Sequence, residues 1–196
     1  MNILQRLNQD MTGVVAQARR SLVQVSNGSS GNGSGIVWSA DGLIITNAHV
    51  VRRKNLRVTL ADGRELPARV LAHDPERDIA ALKVEAQGLP AVRVGDSRRV
   101  QAGEWVFAIG HPFGVTGAAT AGVVIGGGDR LPEQARGRDW LAVALRLRPG
   151  NSGGPLVDAA GRLIGVNTLM TGPEAGGAVP VHVVQRFLQD HLPAYA

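Results

Sequence analysis

The 196-residue chain is 44% hydrophobic and 19% charged, which excludes a disordered polymer and allows one domain or two small units sharing an interface. It has no cysteine, so disulfides, thiolate metal sites and a cysteine nucleophile are excluded. The net charge is +5, with the whole excess in the first hundred residues. Its densest basic run, "RRKNLR" (52–57), has no aromatic platform beside it and reads as a solvated turn, not a nucleic-acid contact.

The first 25 residues carry Arg6 and Asp10 where an export signal needs an unbroken apolar run. No stretch approaches the roughly 18 apolar residues of a membrane span. The chain as given therefore reads as cytoplasmic, or as periplasmic or extracellular if cut behind a signal. Residues 4–20 predict a short helix, with Leu4, Leu7, Met11 and Val14/Val15 at helical spacing. "SLVQV" then alternates as a strand, and "SNGSSGNGSG" reads as a flexible loop.

Three hairpin signals follow. Asp41-Gly42, Asp62-Gly63 and the pair Asp158 and Gly161 each sit between β-rich runs, at turns that need residues tolerant of positive φ. "DIAALKV", "EWVFAIG" and "AGVVIG" read as further strands, which makes the chain all-β and antiparallel. The polar stretch 95–104 is the expected boundary between two β units. A final helix is predicted in "VHVVQRFLQDHL", with Val184, Phe187, Leu188 and His191 on one face and Pro193 as its stop.

The stretch "RPGNSGGPLV" (148–157) concentrates special backbone geometry around one hydroxyl, Ser152. A serine nucleophile needs a base, an orienter for that base, and donors for the oxyanion. Gly150 and Ser152 can supply the donors through their own N–H groups. Five histidines are candidate bases. His49 is favoured because it follows the apolar run "LIITNA", where a polar ring must find a partner. His73, His111, His182 and His191 are expected in surface or capping roles. Asp78, opening the apolar "DIAALKV", is preferred as orienter over Asp74, which precedes a proline in a turn. The order His49, Asp78, Ser152 is that of the Ser-His-Asp template.

"TNAHVV", "DPERDIAALKV", "GDSRRVQAGEWVFAIGHPFG" and "PGNSGGPLVDAAGRLIGVN" together resemble the HtrA/Deg family of trypsin-like serine proteases, from about Ser21 to Leu188. The resemblance implies a trypsin-like fold of two antiparallel six-stranded β-barrels, at about 21–100 and 101–180. The N-terminal helical segment 1–20 and the C-terminal helix and tail 181–196 flank them. His49 would be general base, Asp78 its orienter, Ser152 the nucleophile, and Gly150 and Ser152 the oxyanion hole. The substrates would be unfolded or flexible polypeptides.

Two departures from the family pattern bear on specificity and regulation. No PDZ domain follows the protease motifs before Ala196, so PDZ-driven activation is not expected. Where relatives read like "TDAAINPGNSGG" this chain reads "VALRLRPGNSGG", which sets Arg146 and Arg148 beside the specificity pocket. Arg146 turned inward would favour an acidic residue before the scissile bond. Turned outward, it leaves an apolar pocket of Leu147 with Leu169 or Met170 for small aliphatic residues, and the alternation around Leu147 favours this version. The oligomer is open between monomer and trimer, because residues 1–37 contain no Phe, Trp or Tyr and so hold no aromatic anchor for the family's trimer contact.

Competing motifs fail on context. "GNSGG" fits the nucleophile elbow of α/β-hydrolases, but a hairpin follows it instead of a helix. "GNGSG" precedes a strand, not the helix of a dinucleotide site, and "GGGDR" lacks the Lys-Ser/Thr of a phosphate loop. No cluster has metal-ligand spacing, so neither metal nor cofactor is expected. The rival from another class is a peptide-binding or chaperone-like module that keeps the fold with a resting or inactive site.

Overall fold

The computed structural model describes residues 2–28, 32–51, 55–127, 139–170 and 175–196, with the side chains of residues 32, 169 and 170 left aside. Helix α1 (Ile3–Arg19) begins with a capping box, in which the Asn2 side chain accepts from the Gln5 N–H and the Gln5 side chain accepts from the Asn2 N–H. Six strands follow: β1 (Leu22–Ser26), β2 (Asn32–Val37), β3 (Leu43–Thr46), β4 (Leu56–Thr59), β5 (Glu65–Asp74) and β6 (Ile79–Val84). They close an antiparallel barrel in the order β1-β2-β3-β6-β5-β4.

After residues 85–104 come β7 (Trp105–Gly110), β8 (Ala118–Gly127), β9 (Leu141–Ala144), β10 (Pro155–Asp158), β11 (Leu163–Met170) and β12 (Gly176–Pro180). They close a second barrel in the order β10-β11-β12-β9-β8-β7, and α2 (Val181–His191) follows, with a 3-10 turn, Pro193–Tyr195, after it. No helix among the described residues is long and apolar enough to cross a membrane.

The strand sequences follow from what each face touches. In β3, Ile44 points into the first barrel beside Val23, Val58 and Leu82, whereas Leu43 and Ile45 point outward into a second apolar layer. That layer holds Leu163, Val166 and Val179 of the second barrel and Phe187 and Leu188 of α2. A strand buried on both sides needs no polar face, which accounts for the unbroken "LII". In β6, Ile79 and Ala81 face this shared layer while Leu82 and Val84 fill the barrel. Barrel two has its own interior of Val106, Val143, Leu156 and Ile164, and α1 lays Ala18 against Phe107, Ile109 and Val157 outside it.

One local expectation is corrected. The "SNGSSGNGSG" segment is not loop throughout, because β2 begins at Asn32 and pairs with both β1 and β3. Its glycines and serines carry loop propensity, but their small size lets the side chains of Val50 and Ile44 close over the strand. Residues 52–54 of the basic "RRKNLR" run lie outside the described residues, and Arg57 sits on β4 and pairs with Glu65 on the neighbouring strand. The short β9 and the glycine-led β12 carry too little pattern to be read from the sequence.

The C-terminus is tied back to barrel one by a polar knot. Asp41 accepts from Lys83 Nζ at 2.8 Å and from the Tyr195 hydroxyl at 2.9 Å, and Ser39 donates to it as well. The bond from Lys83, then that from Ser39, hold the Asp41 carboxyl well below the ordinary carboxylate range. A depressed folded-state value means the knot stabilises fully above the unfolded value near 3.8 and is lost as pH falls through the folded one. Asp41→Asn is therefore expected to lower stability by a constant amount above about pH 5, and the gap to wild type should narrow steadily below about pH 4, as read by urea unfolding across pH 2–7.

Candidate active site

The β3–β6 pairing, with Thr46 opposite Ala80, brings the chain just after β3 beside the chain just before β6. His49 lies on a 3-10 turn, Ala48–Val50, and Asp78 immediately precedes Ile79. Asp78 has φ of 55°, a left-handed conformation that a non-glycine residue adopts under constraint. The constraint is visible: Asn47 Nδ2 donates to the Asp78 carbonyl at 2.9 Å, and the His49 N–H donates to Asp78 Oδ1 at 3.0 Å. The backbone twist aims the carboxylate at the histidine ring, whose Nδ1 lies 3.0 Å from Oδ1 and 2.9 Å from Oδ2.

Asp78 is only 8% exposed. Burial works to raise its carboxyl, but bonds from the His49 ring, the Thr168 hydroxyl and the His49 amide outweigh it and hold the group below its ordinary value. Thr168 Oγ1 donates to Asp78 Oδ2 from the opposite barrel. The carboxylate thus stays ionised and accepts a hydrogen bond from the Nδ1–H of a neutral His49 ring, whose Nε2 then carries no proton.

Thr168 also reaches the third candidate. Ser152 Oγ donates to the Thr168 carbonyl at 2.8 Å, and among the described residues it makes no bond to His49. One residue of β11 thereby touches the Asp78 carboxylate through its side chain and Ser152 through its backbone. No sequence signal marked Thr168: a lone threonine in "VNTLM" looks like any strand residue.

The loop around Ser152 is held from both barrels. Ser34 of β2 donates its N–H to the Ser152 carbonyl at 2.7 Å and its hydroxyl to the Gly150 carbonyl at 2.8 Å. The His111 N–H also reaches the Gly150 carbonyl, at 3.1 Å. The Pro149 carbonyl accepts from the Phe113 N–H at 3.3 Å. Because C=O and N–H point opposite ways across a trans peptide, that bond turns the Gly150 N–H away from Phe113. The amides of Gly150 and Ser152 have no protein acceptor among the described residues. They are two free donors flanking one hydroxyl.

The pocket candidates divide. Leu147 is buried, and its Cγ lies 2.9 Å from where a Cβ on Gly176 would stand. Arg146 and Arg148 are exposed on either side of it. The Arg148 guanidinium lies over the Phe113 ring, 5.9 Å from its centroid. The side chains of Leu169 and Met170 lie outside the described residues.

The remaining histidines take other partners. His73 Nε2 lies 3.2 Å from the Ala48 carbonyl, His182 Nδ1 is 2.8 Å from Ser97 Oγ, and His191 Nδ1 is 3.0 Å from the Phe187 carbonyl. His111, expected at the surface, is instead 7% exposed, because the turn that carries it folds under the Ser152 loop. Burial pushes its imidazole below the ordinary histidine value. No group of metal-ligating side chains is found among the described residues.

Two closed barrels, a His–Asp pair on one and a serine between free amides on the other define a serine peptidase architecture. The family model described as a trypsin-like peptidase domain matches residues 33–166. Protease Do-like 1, chloroplastic, of Arabidopsis thaliana is 41% identical over 165 residues, covering 79% of this chain and 38% of that protein. A protein of Ectopseudomonas mendocina named as a DegP-like periplasmic serine endoprotease is 44% identical over 137 residues, 69% of this chain and 29% of its own length. The solved HtrA-type protease AlgW with decapeptide has a TM-score of 0.84 at 30% identity, covering 93% of this chain and 67% of that one. The chain belongs to the trypsin-like peptidases and, within them, to the HtrA/Deg family of serine proteases. It spans less than two fifths of the length of either curated relative.

Gly153 tests how tightly this seam is built. Its φ is +84°, and a Cβ there would sit 2.0 Å from the Ser34 carbonyl oxygen and 2.3 Å from Thr46 Oγ1. Gly153→Ala is expected to cost at least about 1–3 kcal/mol from backbone strain alone, a fall in Tm of roughly 2–12 °C by calorimetry.

Proposed function

We propose that the chain is a serine endopeptidase that cleaves unfolded or flexible polypeptides through an acyl-enzyme, after small aliphatic residues. The observation that carries this reading is the His49–Asp78 pair facing, through Thr168, a serine flanked by two free backbone donors.

In this mechanism the Ser152 hydroxyl leaves the Thr168 carbonyl by rotation about χ1 and meets His49 Nε2. Oγ attacks the scissile carbonyl carbon while its proton passes to Nε2. The Gly150 and Ser152 N–H groups bind the oxyanion that forms. The imidazolium, stabilised by Asp78, then protonates the leaving amine, and a water molecule repeats the sequence to release the acyl group. Rotation of Ser152 also frees the Thr168 carbonyl to accept a substrate backbone N–H. A polypeptide substrate is in keeping with the solved structure of the HtrA-type protease AlgW with decapeptide.

An apolar specificity pocket is supported by the burial of Leu147 against Gly176 and by the exposure of Arg146 and Arg148. The bond from Ser152 to Thr168 favours a second state of the same site, in which the serine rests until substrate arrives. A binding-only, chaperone-like module would remain in that state.

A fluorophosphonate probe separates the two readings. Wild-type protein is expected to be labelled and Ser152→Ala to stay unlabelled, and tight binding of unfolded protein without labelling at any pH would establish the binder instead. Asp78→Asn is expected to lower kcat by about 10⁴-fold, as the same exchange does in the Ser-His-Asp template, whereas a purely structural aspartate would change stability more than rate. A peptide library should show cleavage after Val, Ala or Leu, and a preference for Asp or Glu would mean that Arg146 faces the pocket.

A further inference from the structure

His49 sits in the short 3-10 turn Ala48–Val50, and Asn47 holds the position before that turn. An asparagine so placed can cap the turn, its Oδ1 accepting an N–H from one of the next residues. Asn47 makes no such bond. It is fully buried, and its Nδ2 donates instead to the Asp78 carbonyl at 2.9 Å, 31 positions away in the chain. The facing group is a carbonyl, which only accepts, so the amide can bond it only through Nδ2. Oδ1 is left buried with no partner among the described residues.

The cap that Asn47 forgoes is supplied by Asp78. Its Oδ1 accepts the His49 N–H at 3.0 Å, the bond a capping Asn47 would make, and also lies 3.0 Å from His49 Nδ1. Each residue therefore holds the other's chain. The Asn47 side chain holds the Asp78 backbone, and the Asp78 side chain holds the backbone two residues past Asn47. This exchange leaves an unpaired amide oxygen in the interior, a cost that a local cap would avoid. It also leaves Asp78 at φ of 55°, away from the conformations favoured by residues with a Cβ. Two unfavourable features at one contact point to a demand other than stability.

We propose that Asn47 is a positioning residue of the candidate active site, which sets the Asp78 carboxylate against the His49 ring by giving up its own cap. Turned to its local N–H, the Asn47 side chain would displace Asp78 Oδ1 from the His49 amide and release the Asp78 carbonyl. The carboxylate could then swing away from Nδ1, and the neutral ring would lose the partner that fixes its proton there. The effect on catalysis rests on the serine-protease reading; the brace between Asn47 and Asp78 does not.

Asn47→Ser in the full chain is the test. Serine caps as well as asparagine does, but its side chain is one bond shorter and does not span to Asp78. On a chromogenic peptide, kcat is expected to fall roughly 10–100-fold while KM changes by less than about twofold. Because the local cap is kept, Tm should stay within about 3 °C of wild type. Val58→Ala, a packing loss inside barrel one, should lower Tm further and leave kcat unchanged. With the histidine rings labelled with ¹⁵N and neutral, wild-type His49 should carry its proton on Nδ1, and Asn47→Ser should move part of the population to Nε2. An unchanged kcat, a kcat that falls only as Tm falls, or an unchanged tautomer overturns the proposal. Failure of Asn47→Ser to fold would make Asn47 a residue of the fold and overturn it as well. If wild type hydrolyses nothing, the catalytic reading fails, and the tautomer alone decides whether Asn47 holds the His49–Asp78 pair.

Discussion

The contact on which the rest depends is the grip of Ser34 on the loop around Ser152. Ser34 belongs to the first barrel, and three bonds join it to the second: its N–H donates to the Ser152 carbonyl, its hydroxyl donates to the Gly150 carbonyl, and it accepts from the His111 N–H. Thr46 completes the join by donating to the Ser34 carbonyl at 2.6 Å. Each barrel is closed, so neither offers a free sheet edge to the other. Side chains and loop amides must therefore make the polar part of the seam, with the apolar layer around Phe187 and Leu163 giving it depth.

The seam also settles the electrostatics of the candidate site. An aspartate as buried as Asp78 would be driven toward its neutral form if left alone. It is kept charged by donors from two directions, His49 from its own barrel and Thr168 from the other. Fixing that charge requires the barrels to be in register with each other. Any change that slides the seam removes Thr168 from Asp78 and Ser34 from Gly150 together. Backbone strain at Asp78 and Phe113, the non-glycine residues with positive φ among those described, falls at the same place.

Much of this was legible along the chain. The Asp-Gly turns at 41–42 and 62–63 marked hairpins because their chemistry is local. His49 stood out because an apolar run gives a polar ring no solvent, and Asp78 because a charge opened an otherwise apolar strand. Ser152 was marked by the glycines around it. What was missed was non-local. Ser34 sat in a segment whose composition argues for a loop, Thr168 in an ordinary strand, and His111 in a turn that looked exposed. Their roles depend on residues 77 to 116 positions away, which no periodicity records.

The sequence by itself determined an all-β chain with a helix at each end, and the three residue types that acyl transfer requires, in order. These follow from short-range rules: alternation, turn stereochemistry, helical spacing and the cost of burying polar groups. Only the tertiary structure decided that one threonine serves Asp78 and Ser152 at once, that the Ser152 hydroxyl rests on a carbonyl, and that His111 lies buried beneath Gly150. Those outcomes depend on how two closed barrels meet, and the geometry of that meeting is fixed by side-chain packing across the seam.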